Sequence, residues 1–216
     1  MLRLYDFWRS SAAYRVRIAL NLKGLDYDSV PIHLVKDGGA QHTAAFRRIN
    51  PQELVPALEV DGDVLTQSLA IIEYLDEIYP DPAILPRRPD DRARVRAMAL
   101  SIAADIHPIQ NLRVLDYLRQ ELKQAEGPVQ QWARHWIELG LIALSDLIDR
   151  APGRGRYCYG DSVTVADVML VPQLANARRF GCDLGKIGKL VEVERALLQI
   201  PAFHKAAPEN QPHAAS

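Results

Sequence analysis

Four short stretches carry residue types and spacings that can do chemistry. Arg9-Ser10-Ser11 lies between an apolar strand-like run and a helical one. Unpaired N–H groups at a helix start, together with the helix dipole, favour an anion such as a thiolate or carboxylate. Serines at helix starts also serve as plain caps, so Ser11 is either a cap or a thiolate partner. Val55-Pro56 stands immediately before a second strand-like run. A cis bond there would turn the Val55 amide and carbonyl outward to receive an extended peptide, and an ordinary trans proline would not. Gln67-Ser68 opens a further helix and repeats the choice between anion pocket and cap. Finally, the run Asp105 to Arg113 places His107, Asn111 and Arg113 on adjoining turns of one helix, either as a polar network between helices or as ligand contacts. Arg9 and Arg113 are the candidates for guanidinium forks on carboxylates, whereas Arg15, Arg17, Arg178 and Arg179 read as solvated surface.

These groups need elements to hold them. Leu2 to Tyr5 reads as a strand, and Val16, Ala19, Leu20 and Lys23 fall on helical spacing before Gly24. Tyr27 to Ile32 alternates as a second strand, and Thr43 to Arg48 holds a short helix ended by Asn50-Pro51. Ala57 to Val60 and Val64 to Thr66 flank Asp61-Gly62-Asp63 as a hairpin, and Ser68 caps a helix whose apolar side includes Ile71, Leu75 and Ile78. The expected order is β-α-β-α-β-β-α. Two anion pockets beside a peptide-binding edge, in that order of elements, suit a short anionic peptide.

Pro80-Asp81-Pro82, Pro86 and Pro89 mark a connection that neither helix nor sheet continues through, so a first domain of residues 1–81 and a linker of 82–89 are expected. Residues 90–216 should form an all-helical domain, with helices over 91–122 (bent at Pro108), 129–149, 164–179 and about 190–198, and a fraying tail from Pro208 to Ser216. Thr164-Val165-Ala166-Asp167 has the spacing of a capping box, with Val163 and Val168 as its hydrophobic staple.

Composition removes several classes of function. Lys and Arg number 26 against 27 Asp and Glu, so no overall positive field draws the chain to nucleic acid or anionic lipid. No stretch has the uncharged length of a membrane span, and the charged start argues against a signal peptide, which points to a cytoplasmic protein. Cys158 and Cys182 are far apart with no C-x-x-C, and the six histidines form no i, i+4 pair, so neither a redox pair nor a metal site is expected.

Taken in order, Arg9-Ser10-Ser11-Ala12-Ala13-Tyr14-Arg15-Val16-Arg17-Ile18-Ala19-Leu20, Asn50-Pro51 through Val55-Pro56, Gln67 to Leu75 and Leu170-Val171-Pro172-Gln173 resemble the blocks of the zeta class of glutathione transferases. The likeness spans nearly the whole chain. It implies a thioredoxin-like domain followed by an all-helical one, α/β plus all-α, usually as a homodimer.

By that resemblance glutathione is the cofactor, with Ser10 and Ser11 at its sulfur, Val55 and Pro56 along its cysteinyl backbone, and Gln67 and Ser68 on its γ-glutamyl carboxylate. Gln41, His107 and Asn111 are implied as further contacts. The expected reaction is cis-trans isomerisation of maleylacetoacetate to fumarylacetoacetate, with Arg9 and Arg113 on the dianionic keto acid and Arg178 as an additional substrate contact. Ala12 departs from the class, where many members carry a cysteine after the two serines. The alternatives are maleylpyruvate isomerisation, conjugation or dehalogenation of small electrophiles, and a non-enzymatic binding protein of the same fold.

Overall fold

The fold comes from a computed structural model that describes residues 1–214. Four strands, β1 (Leu2–Asp6), β2 (Asp28–Pro31), β3 (Ala57–Val60) and β4 (Asp63–Thr66), lie in the order β2-β1-β3-β4. β1 runs parallel to β2 and antiparallel to β3, which is antiparallel to β4. The β3–β4 turn is made by Asp61 (φ 51°) and Gly62 (φ 99°), and two consecutive positive φ values are what a tight two-residue hairpin of this hand requires.

Register decides what the sheet brings together. Tyr5 stands between Val30 of β2 and Ala57 of β3, and Ala57 is paired in turn with Thr66 of β4. The chain leaving β1, the chain entering β3 and the chain leaving β4 therefore meet at one end of the sheet. An apolar cluster of Tyr5, Phe7, Ile32, Phe46, Val55 and Ala57 supports that end.

Helices α1 (Ser11–Leu22), α2 (Ala44–Ile49) and α3 (Ser68–Ile78) complete the expected β-α-β-α-β-β-α order. Every residue of α1 from Ala12 to Leu20 is buried, Arg15 and Arg17 included. This corrects the reading of both arginines as solvated surface. Their burial is tertiary in origin: Arg15 meets Ser68 at the start of α3, and a short C-terminal helix that periodicity did not reveal packs on α1, with Arg17 Nε donating to Ala206 O (2.9 Å), Tyr14 Oη to Phe203 O (3.3 Å) and Asn21 Nδ2 to Ala202 O (3.1 Å).

The remaining helices are α4 (Pro89–Leu100), α5 (His107–Ile109), α6 (Leu112–Gln120), α7 (Glu126–Arg150), α8 (Val165–Arg179), α9 (Gly188–Leu197) and α10 (Pro201–Ala206). The expected bent helix over 91–122 is divided. Its middle, Ser101–Ile106, winds as a π-helix, and the chain breaks at Gln110 and Asn111, where Asn111 turns extended to cap α6. The indole N–H of Trp132 on α7 donates to the Ile109 carbonyl (2.8 Å) beside the break. A Cβ at Gly140 of α7 would lie 2.3 Å from Ile106 Cγ1, so a glycine lets α7 approach the π-helical turn. The capping spacing at α8 forms as expected: the Thr164 amide and hydroxyl both donate to Asp167, at 2.7 and 2.8 Å.

Contacts divide the chain into two compact units, Ile84–Leu197 and a first unit of Met1–Ala83 joined by the stretch from Leu198 onward. The helical domain expected over 90–216 thus ends earlier, because α10 is held by α1. The tail expected to fray from Pro208 instead makes a 3-10 turn at Pro208–Asn210, and Gln211 Nε2 donates to the Lys205 and Ala207 carbonyls, each at 2.9 Å. Ala215 and Ser216 lie outside the described residues.

Candidate active site

The end of the sheet where β1, β3 and β4 meet carries the three stretches that sequence singled out in the first unit. After β1, the cap of α1 is Ser10, not Ser11: Ser10 is extended (φ −68°, ψ 121°) and its Oγ accepts from the Ala13 amide at 3.2 Å. Ser11 is the first helical residue, half-buried, and its hydroxyl is engaged by no hydrogen bond among the described residues. Of the two hydroxyls, the one without a protein partner among the described residues is therefore that of Ser11. Arg9 is exposed, its guanidinium lying over the rings of Phe7 (5.9 Å) and Trp8 (5.5 Å).

Before β3, the Val55-Pro56 bond is cis. The Val55 amide and carbonyl make no hydrogen bond among the described residues, which leaves a donor and an acceptor at the sheet end. Asn50 organises the approach, with Nδ2 donating to Leu54 O (2.7 Å) and Oδ1 accepting from the Gln52 amide (3.0 Å).

After β4, Gln67 has φ 68° and ψ 115°, a backbone conformation that L side chains rarely adopt. The cap position of α3 is Gln67, and Ser68 is the first helical residue, so the expectation of Ser68 as the cap shifts by one here as it did at Ser11. Gln67 Nε2 donates to Gln52 Oε1 (2.9 Å), tying this station to the Val55 loop. Ser68 Oγ accepts from Nη1 of Arg15 at 3.2 Å. Arg15 is 1% exposed, and burial lowers its pKa to about 10.

Gln41 is buried in the loop before α2. Its Nε2 donates to Leu34 O (3.1 Å), while its Oε1 is buried with no partner among the described residues. Gly39 beside it has φ 91°, a backbone conformation that L side chains rarely adopt, and a Cβ there would also fall 2.5 Å from Gln41 Nε2. His42 and Arg47 both bind Glu53 and hold its carboxyl below the usual carboxylate range.

The remaining candidates belong to the helical unit. His107, Asn111 and Arg113 do not share one helix, because the chain breaks between α5 and α6. Asn111 caps α6, accepting from the Arg113 amide (3.3 Å), and its Nδ2 lies 3.4 Å from His107 Nε2. Gln110 Nε2 lies 3.4 Å from the other ring nitrogen, so the polar side chains gather at the break between α5 and α6. Arg113 is exposed. Arg178 forks its guanidinium onto Glu194 at 2.6 and 2.5 Å, and Glu194 is 3% exposed.

The chain is 52% identical over 212 residues to a probable maleylacetoacetate isomerase of Vibrio cholerae serotype O1, covering 98% of this chain and 97% of that one. It superposes with a TM-score of 0.95 and 47% identity on the holo structure of a bacterial zeta-class maleylpyruvate isomerase, covering 99% of this chain and 100% of that one. The chain belongs to the zeta class of glutathione transferases. Residues 4–83 of this zeta-class chain match the glutathione S-transferase N-terminal domain, the part that carries the three stations. A maleylacetoacetate isomerase of Methylobacterium extorquens AM1, solved with bound malonate and glutathione, superposes with a TM-score of 0.94 at 39% identity over 99% of this chain and 100% of that one. Sequence reasoning missed two arginines of the zeta-class fold, Arg15 and Arg17. No local signal separates them from surface arginines, because what they bond lies far along the chain, Arg15 to Ser68 of α3 and Arg17 to Ala206 of α10.

Proposed function

We propose that this chain catalyses the glutathione-dependent cis-trans isomerisation of maleylacetoacetate to fumarylacetoacetate. The observation that carries the reading is the register that gathers Ser11, Val55 and Ser68 at one end of the sheet, in a chain 52% identical to a probable maleylacetoacetate isomerase.

The residues present fit glutathione. The unpaired Val55 amide and carbonyl suit the backbone of an extended cysteinyl residue, added as though it were a short strand. Gln67 and Ser68, at the N-terminus of α3, suit the γ-glutamyl carboxylate, and the orphaned Gln41 Oε1 suits an N–H donor of the same peptide. When bound, glutathione supplies a thiolate that adds to the cis double bond, leaves a single bond free to rotate, and departs as the trans bond forms. Ser11 donates its free hydroxyl to that sulfur, and the amides at the start of α1 add their dipole, so that a thiol of ordinary pKa about 8.5 is ionised at neutral pH. Ser10 holds the helix start in place by accepting from Ala13. Arg9 receives a substrate carboxylate and opposes charge that builds on the conjugated carbonyl. Arg113 is assigned a second carboxylate, and His107 with Asn111 a polar contact of the helical unit.

Maleylpyruvate is the second substrate reading, favoured by the superposition on a maleylpyruvate isomerase. The class resemblance supports a homodimer working in the cytoplasm in aromatic amino-acid breakdown, which light scattering of the purified chain tests for the assembly. No helix of the described residues is long and apolar enough to cross a membrane. The deciding experiment assays the purified chain on maleylacetoacetate and on maleylpyruvate, with and without glutathione. Isomerisation that requires glutathione is expected, faster on maleylacetoacetate. Turnover of neither acid, with conjugation of alkyl halides instead, would overturn the reading.

A further inference from the structure

The interior of the first unit contains a cation with no anion. Arg15 is 1% exposed, and of its three guanidinium nitrogens only Nη1 has a partner, the hydroxyl oxygen of Ser68. Nε and Nη2 are buried and unpaired among the described residues, and no carboxylate acts on the group, whose pKa of about 10 follows from burial alone. Arg17, two residues on in the same helix and equally buried, shows the ordinary solution: Nη1 grips both carboxylate oxygens of Asp6 and its other nitrogens reach carbonyls. A buried guanidinium without such partners is costly, and the folded chain keeps it against the first residue of α3.

We propose that Arg15 is a positioning residue for the carboxylate received at the N-terminus of α3, acting through Ser68. The inference rests on the reading of Gln67-Ser68 as the γ-glutamyl station. Ser68 Oγ accepts from a guanidinium with one of its two lone pairs, and its O–H is left to donate. A hydroxyl that accepts a charged hydrogen bond is itself a stronger donor. The positive charge of Arg15 then has its counter-charge one hydroxyl away once a carboxylate binds. Three features converge on the same anion: the α3 dipole, the polarised Ser68 hydroxyl and the uncompensated charge beneath it.

The test uses the full chain and calorimetric binding of two probes, glutathione and 4-aminobutyryl-cysteinyl-glycine, which lacks only the γ-glutamyl α-carboxylate. The native chain should prefer glutathione by tenfold or more. Arg15→Met should abolish most of that preference while leaving affinity for the second probe unchanged, and Arg15→Lys should retain part of it. Without ligand, Arg15→Met should melt at or above the native temperature, since it removes an unpaired buried charge for an apolar side chain of similar reach. Full preference retained in Arg15→Met, or in Arg15→Lys if the methionine variant does not fold, overturns the role of Arg15. A fall in melting temperature with preference intact makes it a purely structural residue. A native chain that binds both probes equally overturns the γ-glutamyl station and the inference with it, and one that binds neither overturns the glutathione reading itself.

Discussion

Arg17 grips both carboxylate oxygens of Asp6 with one nitrogen, at 2.7 and 2.8 Å, while Nε reaches the Ala206 carbonyl and Nη2 the Trp8 carbonyl, each at 2.9 Å. One fully buried side chain thus fastens the end of β1, the loop leading to Ser10 and the C-terminal helix α10. Arg17→Met leaves Asp6 buried and unpaired, and the expected loss of stability is about 3–5 kcal/mol. Adding Asp6→Leu should recover part of it. Urea unfolding of the two variants checks this, and a double variant no more stable than the single one contradicts it.

The two serines at the start of α1 should separate in their effects. Ser10→Ala removes the cap on Ala13 and should cost about 1 kcal/mol of stability with little change in the pH dependence of turnover. Ser11→Ala removes a hydroxyl that no protein group uses, so it should lower kcat more than glutathione affinity and shift the ionisation of the bound thiol upward. The thiolate absorbance of the glutathione complex against pH is the measurement. Unchanged titration in Ser11→Ala assigns the activation to backbone amides alone.

Burial disfavours the thiolate at both cysteines. Burial pushes the Cys158 thiol far up and Cys182 to about 11. At neutral pH iodoacetamide should label both slowly, with Cys182 gaining reactivity as pH rises toward 11, and the Cys158→Ala/Cys182→Ser variant should keep its isomerase activity. Loss of activity in that variant while folded would point to a protein thiol in the reaction.

Asp167 is fully buried, and burial raises its pKa despite hydrogen bonds from Thr164 and from the Cys158 amide at 2.8 Å. A raised folded pKa means that the folded chain holds this proton more tightly than the unfolded one. That contribution is fully present below the unfolded value of about 3.9 and is lost as pH rises through the folded value. Asp167→Asn lacks it. The stability of the native chain minus that of the variant should therefore shrink from about pH 4 upward, and a pH-independent difference would show that burial does not displace this carboxyl.

Arg9 and Arg113 are both exposed. Replacing either by lysine keeps the charge and removes the planar fork, so KM for a dianionic keto acid should rise several-fold while conjugation of a neutral electrophile is nearly unchanged. Parallel loss of both activities with a lowered melting temperature would make the residue structural.

Much of this protein is legible locally. Strand alternation, the Asp-Gly hairpin and the Thr164 to Asp167 capping spacing are set by interactions within a few residues, and each element formed in the expected order. The blocks around Ser10, Val55 and Ser68 carry the family in the same way. What sequence left open was decided by one local turn and by contacts across the chain. Which serine caps α1 depends on where the loop after Phe7 turns, and the hydrogen bond from the Ser10 amide to the Phe7 carbonyl (2.8 Å) fixes that turn. The Val55 bond is cis, where an X-Pro bond by itself favours trans. The break at Gln110 and Asn111 lies beside a carbonyl that accepts from Trp132, 23 residues away. Arg15 and Arg17 have the sequence look of surface residues because charge is a property of the side chain and burial a property of the neighbours. Here those neighbours include α10, more than 180 residues further along.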